Sequence, residues 1–169
     1  MSEVVAITAR KTGAEPVPKA YINPDTFAVT DMAGYLSHRP PFLFVDHAEV
    51  NADMCAARGV RRFLAEDWFF KGHFPGEPIV PGVILLEVAA QTANLLLSCR
   101  ANRLVHAYLV NADAVSFKAP VRPGDTVIAD VSFSRAANIE PGSFFAFKTS
   151  VLRENQPCMR ALLSVFWAK

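Results

Sequence analysis

The chain is poor in cysteine: Cys55, Cys99 and Cys158 are scattered and odd in number among 169 residues. They make neither a CxxC pair nor a disulfide framework, which excludes a stapled secreted scaffold and fits a reducing cytosol. An excess of charge is missing too. Lys and Arg together number 17 against 16 Asp and Glu, so there is no basic footprint for a polynucleotide and no nucleic-acid partner is expected. The longest apolar run, Val83 to Leu97, is interrupted by Glu87, Gln91 and Asn94. That run is too short and too polar for a bilayer, so no membrane partner is expected. The Val-Val-Ala-Ile patch near the N-terminus precedes its charged residues, the wrong order for a signal peptide. The histidines show no His-x-x-x-His spacing, and Gly72 to Gly76 lacks the spacing of a phosphate cradle. Neither a metal site nor a nucleotide site is expected. These absences together describe a soluble cytoplasmic protein.

What is present is apolar material and turn chemistry. A hydrophobic fraction of 51% can fill the core of one domain and leave apolar surface for a partner subunit. Residues 1–24, with Pro16, Pro18 and Pro24 and no periodicity, read as a loosely held arm, and 25–169 as one domain. Between Asp25 and Leu36 a short helix is expected, capped by Thr30 or Asp31 and ended before Pro40-Pro41. Phe42 to Val50 and Met54 to Phe63 read as a hairpin around the polar break at Asn51-Ala52-Asp53. Pro81-Gly82 opens the one long helix, Val83 to about Cys99, apolar nearly all round and so buried on most of its surface. Four strand-like runs follow: Ala107 to Phe117, Thr126 to Ser134, Ser143 to Arg153 and Met159 to Trp167. Pro- and Gly-containing turns separate the last three from what precedes them. About six strands and one buried helix predict an α+β domain, an antiparallel sheet curled round the helix.

The chemistry gathers around that helix. His73 sits in a loop punctuated by Gly72, Pro75, Gly76 and Pro78, between the aromatic residues Phe70 and Phe74. A neutral imidazole there can accept a proton near neutral pH, although a histidine among aromatics also serves as a structural residue. Glu87 is the one ionisable group in the first turns of the helix. A carboxyl buried in such surroundings tends to keep its proton and can act as a general acid, unless it snorkels to the helix edge. Gln91 lies one turn further along the same face and can orient Glu87 or fill a polar gap. Gly82 stands at the helix start, where backbone N–H groups lack internal partners and can polarise a carbonyl. Base, acid and carbonyl site together suit elimination of water next to a thioester carbonyl, without a cofactor.

Three blocks carry a resemblance: His38-Arg39-Pro40-Pro41-Phe42-Leu43-Phe44-Val45-Asp46, the segment from Gly72 to Gln91, and Phe117-Lys118-Ala119-Pro120-Val121-Arg122-Pro123-Gly124-Asp125. In this order they resemble the 3-hydroxyacyl-acyl-carrier-protein dehydratases of bacterial type II fatty acid synthesis, the FabZ type, over about Ser37 to Phe166. The resemblance implies a hotdog fold, with His73 as base at C2 and Glu87 protonating the C3 hydroxyl. It also implies a homodimer whose sites pair His73 of one protomer with Glu87 of the other, as a dimer or a hexamer of three dimers. The substrate would arrive on the phosphopantetheine of acyl carrier protein, an acidic partner for local basic residues such as Arg58, Arg61, Arg62, Lys118 and Arg122. Phe74, Pro81, Val83 and Tyr108 would line the substrate tunnel. Glutamate at the helix position resembles the simple dehydratase rather than the dehydratase-isomerase branch. The chain departs from the pattern at Asn111, where the family usually has glycine, and in its longer arm; a specialised polyene or polyketide-type pathway fits those departures. Rival readings are a hotdog acyl thioesterase and a non-catalytic carrier-protein-binding subunit of a heterodimer.

Overall fold

Residues 20–23, 25–139 and 141–168 are described in a computed structural model of the chain. The elements run β1 (Ala20–Asn23), β2 (Thr26–Val29), α1 (Met32–Tyr35), β3 (His47–Asn51), β4 (Ala56–Arg62), a 3-10 turn (Trp68–Lys71), α2 (Gly82–Ala101), β5 (Ala107–Phe117), β6 (Thr126–Ile139), β7 (Gly142–Arg153) and β8 (Gln156–Ala168). All strands join one eight-stranded antiparallel sheet in the order β1-β2-β3-β4-β6-β7-β8-β5. The expected hairpin, helix and four later strands are all present. The described end of the N-terminal arm is a strand, β1, and the rest of the arm lies outside the described residues. Of the two expected caps for α1, Asp31 does the work, accepting a hydrogen bond from Ala33 N at 3.1 Å.

Helix α2 is the core of the molecule. It is long and apolar enough to cross a membrane by length and composition, longer than its polar interruptions suggested. Its surroundings make it a core helix, because 78% of its apolar window is buried inside the fold. Leu95, Leu96 and Leu97 pack with Phe27, Phe145 and Phe147 at one end. Ile84, Leu85 and Val88 pack with Phe63, Phe69 and Met159 at the other. Each fully buried leucine of this kind contributes about 1.5–3 kcal/mol. The helix stops in a Schellman arrangement. Asn102 takes the left-handed conformation (φ 51°), its N–H donates to Cys99 O, and Arg103 N–H reaches Ser98 O at 3.1 Å.

The sheet approaches the helix most closely at Gly59 on β4. A Cβ there would overlap the Thr92 hydroxyl, which is itself tied to Val88 O at 2.7 Å. Gly59→Ala is therefore expected to cost about 1–3 kcal/mol through overpacking. A lower urea midpoint with an unchanged m-value is the expected reading.

Among the described residues strand β5 pairs only with β8 and lies at the edge of the sheet. Two irregularities break its register, between Leu109 and Asn111 and between Asp113 and Ser116. The residue with positive φ is Ala114 (49°), not Asn111. The backbone at Asn111 therefore makes no demand for glycine, and its side chain donates to Asp113 Oδ2 at 2.8 Å.

Candidate active site

His73 is held at both its backbone and its ring. The backbone N–H donates to Phe69 O at 3.0 Å, its carbonyl accepts from Ile79 N at 3.0 Å, and ring Nδ1 lies 2.9 Å from Ile79 O. A carbonyl only accepts, so Nδ1 carries the proton and Nε2 keeps its lone pair, the form a general base requires. The chain turns back directly after it. Phe74 O accepts from Glu77 N at 3.0 Å across Pro75-Gly76, and Gly76 has φ +83°, the conformation this turn position demands of glycine. The His73-Phe74 peptide bond is cis. The Phe74 ring stacks on the imidazole at 3.9 Å between centroids.

Beside this loop lies a groove of about 640 Å³ lined by His73, Pro81, Gly82, Val83, Phe117 and Lys118, among others. It runs to the start of α2, where the N–H groups of Gly82 and Val83 have no partner among the described residues. These donors point with the positive end of the helix dipole. The room left by Gly82 is taken within the chain by Phe117. A Cβ on Gly82 would come within 2.8 Å of that ring.

Glu87 belongs to a different wall. Most of α2 is buried, and Val83, Leu86, Glu87 and Ala90 form the one less buried stripe of its first half, with Val83 67% exposed. Glu87 Oε1 accepts from Gln91 Nε2 at 2.9 Å. The same amide donates to Phe42 O at 2.9 Å and accepts from Phe44 N at 2.8 Å. Gln91 thus ties the loop before β3 to α2 and gives Glu87 Oε1 one donor. Gln91→Ala leaves a buried Phe44 N–H without an acceptor and is expected to cost about 1–3 kcal/mol. Thermal unfolding of the variant checks this.

Within one chain, His73, Pro81, Gly82 and Val83 share the groove, whereas Glu87, Gln91, Phe74 and Tyr108 do not line it. Tyr108 is 64% exposed on edge strand β5, in register with Phe166, whose ring packs on Phe144. Sequence reasoning missed two residues: Phe117, which packs on the helix start, and His38, whose Nε2 stands 3.6 Å from Glu87 Oε1. Of the basic residues, Arg58 pairs with Asp130, Arg61 with Asp46 and Asp67, and Arg122 with Glu77. Lys118 lines the groove and has no ion pair among the described residues. A second cavity of about 380 Å³ on the sheet, lined by Arg58, Asp130 and Lys148 among others, holds none of the candidate catalytic or tunnel residues.

A sheet curled round one long helix, with a loop histidine beside the helix start and a carboxyl on its free stripe, defines a hotdog-fold domain. The chain belongs to the FabA-like family, whose model matches residues 36–161. It is 33% identical over 147 residues to 3-hydroxyacyl-[acyl-carrier-protein] dehydratase FabZ of Albidiferax ferrireducens, covering 85% of this chain and 95% of that one. The FabZ of Caulobacter sp. is 34% identical over 123 residues, 71% of this chain and 73% of that one. Among solved structures, the dehydratase heterocomplex ApeI:P from Xenorhabdus doucetiae superimposes with a TM-score of 0.67. It covers 82% of this chain and 91% of that one at 14% identity, a likeness of fold.

Proposed function

We propose that the protein catalyses the reversible dehydration of (3R)-3-hydroxyacyl thioesters carried on acyl carrier protein to trans-2-enoyl thioesters, without a cofactor. The observation that carries this reading is the Nδ1–H···O contact of His73 with Ile79, which leaves Nε2 its lone pair on a histidine that lines a groove ending at a helix N-terminus. The thioester carbonyl sits at the N–H groups of Gly82 and Val83, where the charge that develops on proton removal is stabilised. His73 Nε2 takes a proton from C2. The C2–C3 double bond forms as the C3–O bond breaks, and the departing oxygen takes the proton of Glu87 and leaves as water. His73 ends protonated and Glu87 ionised, and solvent exchange restores both.

The active unit of this reading is a homodimer with shared sites, His73 of one protomer serving with Glu87 of its partner. Edge strand β5 supports it. Its Tyr108, Leu109, Val110, Val115 and Phe117 are exposed apolar residues on an unpaired sheet edge, a surface suited to a second copy. The carrier protein approaches the groove mouth, where unpaired Lys118 suits an acidic partner. A cytoplasmic location belongs to the same reading, with Cys55, Cys99 and Cys158 as free thiols. Both housekeeping and specialised acyl-chain synthesis use this chemistry.

Purified protein incubated with 3-hydroxyacyl carrier protein tests the reading by mass. Loss of one water, and its regain from the enoyl substrate, is the expected result. Release of free acid with no interconversion would identify a thioesterase instead, and no change in either substrate a non-catalytic subunit.

A further inference from the structure

His38 has no part in the reaction as described, yet its imidazole lies against the carboxyl that carries the acid role. Nε2 stands 3.6 Å from Glu87 Oε1, with the two side chains 29% and 23% exposed. The loop that brings it there is fixed from both ends. Upstream, the Arg39 guanidinium donates to the carbonyls of Leu36 and His38 at 2.7 Å and of Ala33 at 3.3 Å. Downstream, Gln91 holds the backbones of Phe42 and Phe44. His38 is delivered to Glu87 by built structure, from a distant part of the sequence.

The ring also has a readable tautomer. Nδ1 of His38 is buried and has no hydrogen-bond partner among the described residues. A proton on it would be a buried N–H without an acceptor, the orphan that folded proteins avoid most strictly. The neutral ring therefore carries its proton on Nε2, the nitrogen that faces Glu87. His73 is held the other way, protonated on Nδ1 by its contact with Ile79 O. The two histidines thus stand in opposite tautomers, one offering a lone pair and the other a donor. At 3.6 Å the His38 contact is longer than a hydrogen bond. Contacts of this kind in ligand-free sites commonly tighten when substrate fills them.

We propose that His38 is a positioning residue for Glu87: its Nε2–H and the Gln91 amide both address Oε1, which leaves Oε2 to carry the acidic proton to the departing hydroxyl. Oε2 has no hydrogen-bond partner among the described residues, whereas Oε1 accepts from Gln91. A carboxyl with one oxygen held by two donors cannot swing its proton away from the substrate. With Gln91 alone it is free to rotate, so fewer bound substrates meet the proton in line. Loss of His38 therefore slows turnover and spares binding.

This inference rests on the dehydratase reading, and one of its tests does not depend on activity. Imidazole ¹⁵N NMR of the full chain is expected to show His38 protonated on Nε2 and His73 on Nδ1; a His38 protonated on Nδ1 overturns the proposal. In kinetics, His38→Phe keeps a ring but no donor and is expected to lower kcat about tenfold with KM within about twofold. His38→Gln places an amide N–H near the lost Nε2–H and is expected to recover kcat to within about threefold of wild type. A His38→Phe protein as fast as wild type, or a His38→Gln protein as slow as His38→Phe, overturns it. Should wild-type protein fail to interconvert the substrates, the dehydratase reading falls, while the paired tautomers still report on His38.

Discussion

His73→Ala is expected to lower kcat for dehydration about 100- to 10,000-fold while the protein keeps its fold. The size follows from what the side chain supplies. Its Nε2 is the one ring nitrogen not engaged by the loop, and the Ile79 carbonyl fixes both the tautomer and the plane of the ring. Without it the C2 proton has no positioned acceptor in the groove. The substitution removes no polar partner except the Nδ1–H that donates to the Ile79 carbonyl, and the surrounding turn keeps its own Phe74 and Glu77 hydrogen bonds. Stability should therefore change little and C2 deuterium exchange should disappear together with water loss. Steady-state kinetics and exchange followed by NMR measure both. A variant that still exchanges C2 protons at the wild-type rate would show that His73 is not the base.

Glu87→Gln is the second large effect, and it separates the two halves of the reaction. The amide keeps the size of the carboxyl and an oxygen to accept from Gln91 Nε2, so the tie across Gln91 to Phe42 and Phe44 persists. What is lost is an acidic proton for the departing hydroxyl. Water loss is expected to fall about 100- to 10,000-fold. His73 is untouched, so exchange at C2 should now outrun elimination, the reverse of its behaviour in the His73 variant. A Glu87→Gln protein that dehydrates at the wild-type rate would remove Glu87 from the acid role.

Where the fold was legible in the sequence, it was legible through strong local signals. Pro81-Gly82 and the apolar run behind it specify α2, and the Pro/Gly turns around Pro123-Gly124 and Pro141-Gly142 mark the borders of β6 and β7. The early strands were less visible. Thr26–Val29 is four residues long beside Pro24, too short to display a period of two, and it is a strand because it pairs with β3. Strand β6 runs on past Ser134 to Ile139 through an irregularity at Phe133 and Arg135, which interrupts the alternation that a sequence reading relies on. Tyr108 illustrates the same limit. On an edge strand exposed on both faces, alternation does not say which side a residue takes, and register against Phe166 decides it.

In the site, His73, Glu87, Gly82 and Gln91 were recognisable because each breaks an apolar or Gly/Pro context that needs a reason. His38 was not. It looks like one more polar residue in a loop, and its meaning comes from the path by which Gln91 and Arg39 bring that loop onto α2. Phe117 ends β5 as an ordinary strand aromatic, and only the missing Cβ of Gly82 gives its ring a seat on the helix start.

The most direct test of the account is complementation between two inactive proteins. His73→Ala and Glu87→Gln chains, unfolded together, refolded and mixed equally, form dimers of which about half pair one of each. If each site takes its histidine from one protomer and its carboxyl from the partner, every mixed dimer holds one intact site, and the mixture recovers about a quarter of wild-type dehydration. A mixture that contains mixed dimers by native mass spectrometry and stays as inactive as its parents would contradict the shared site.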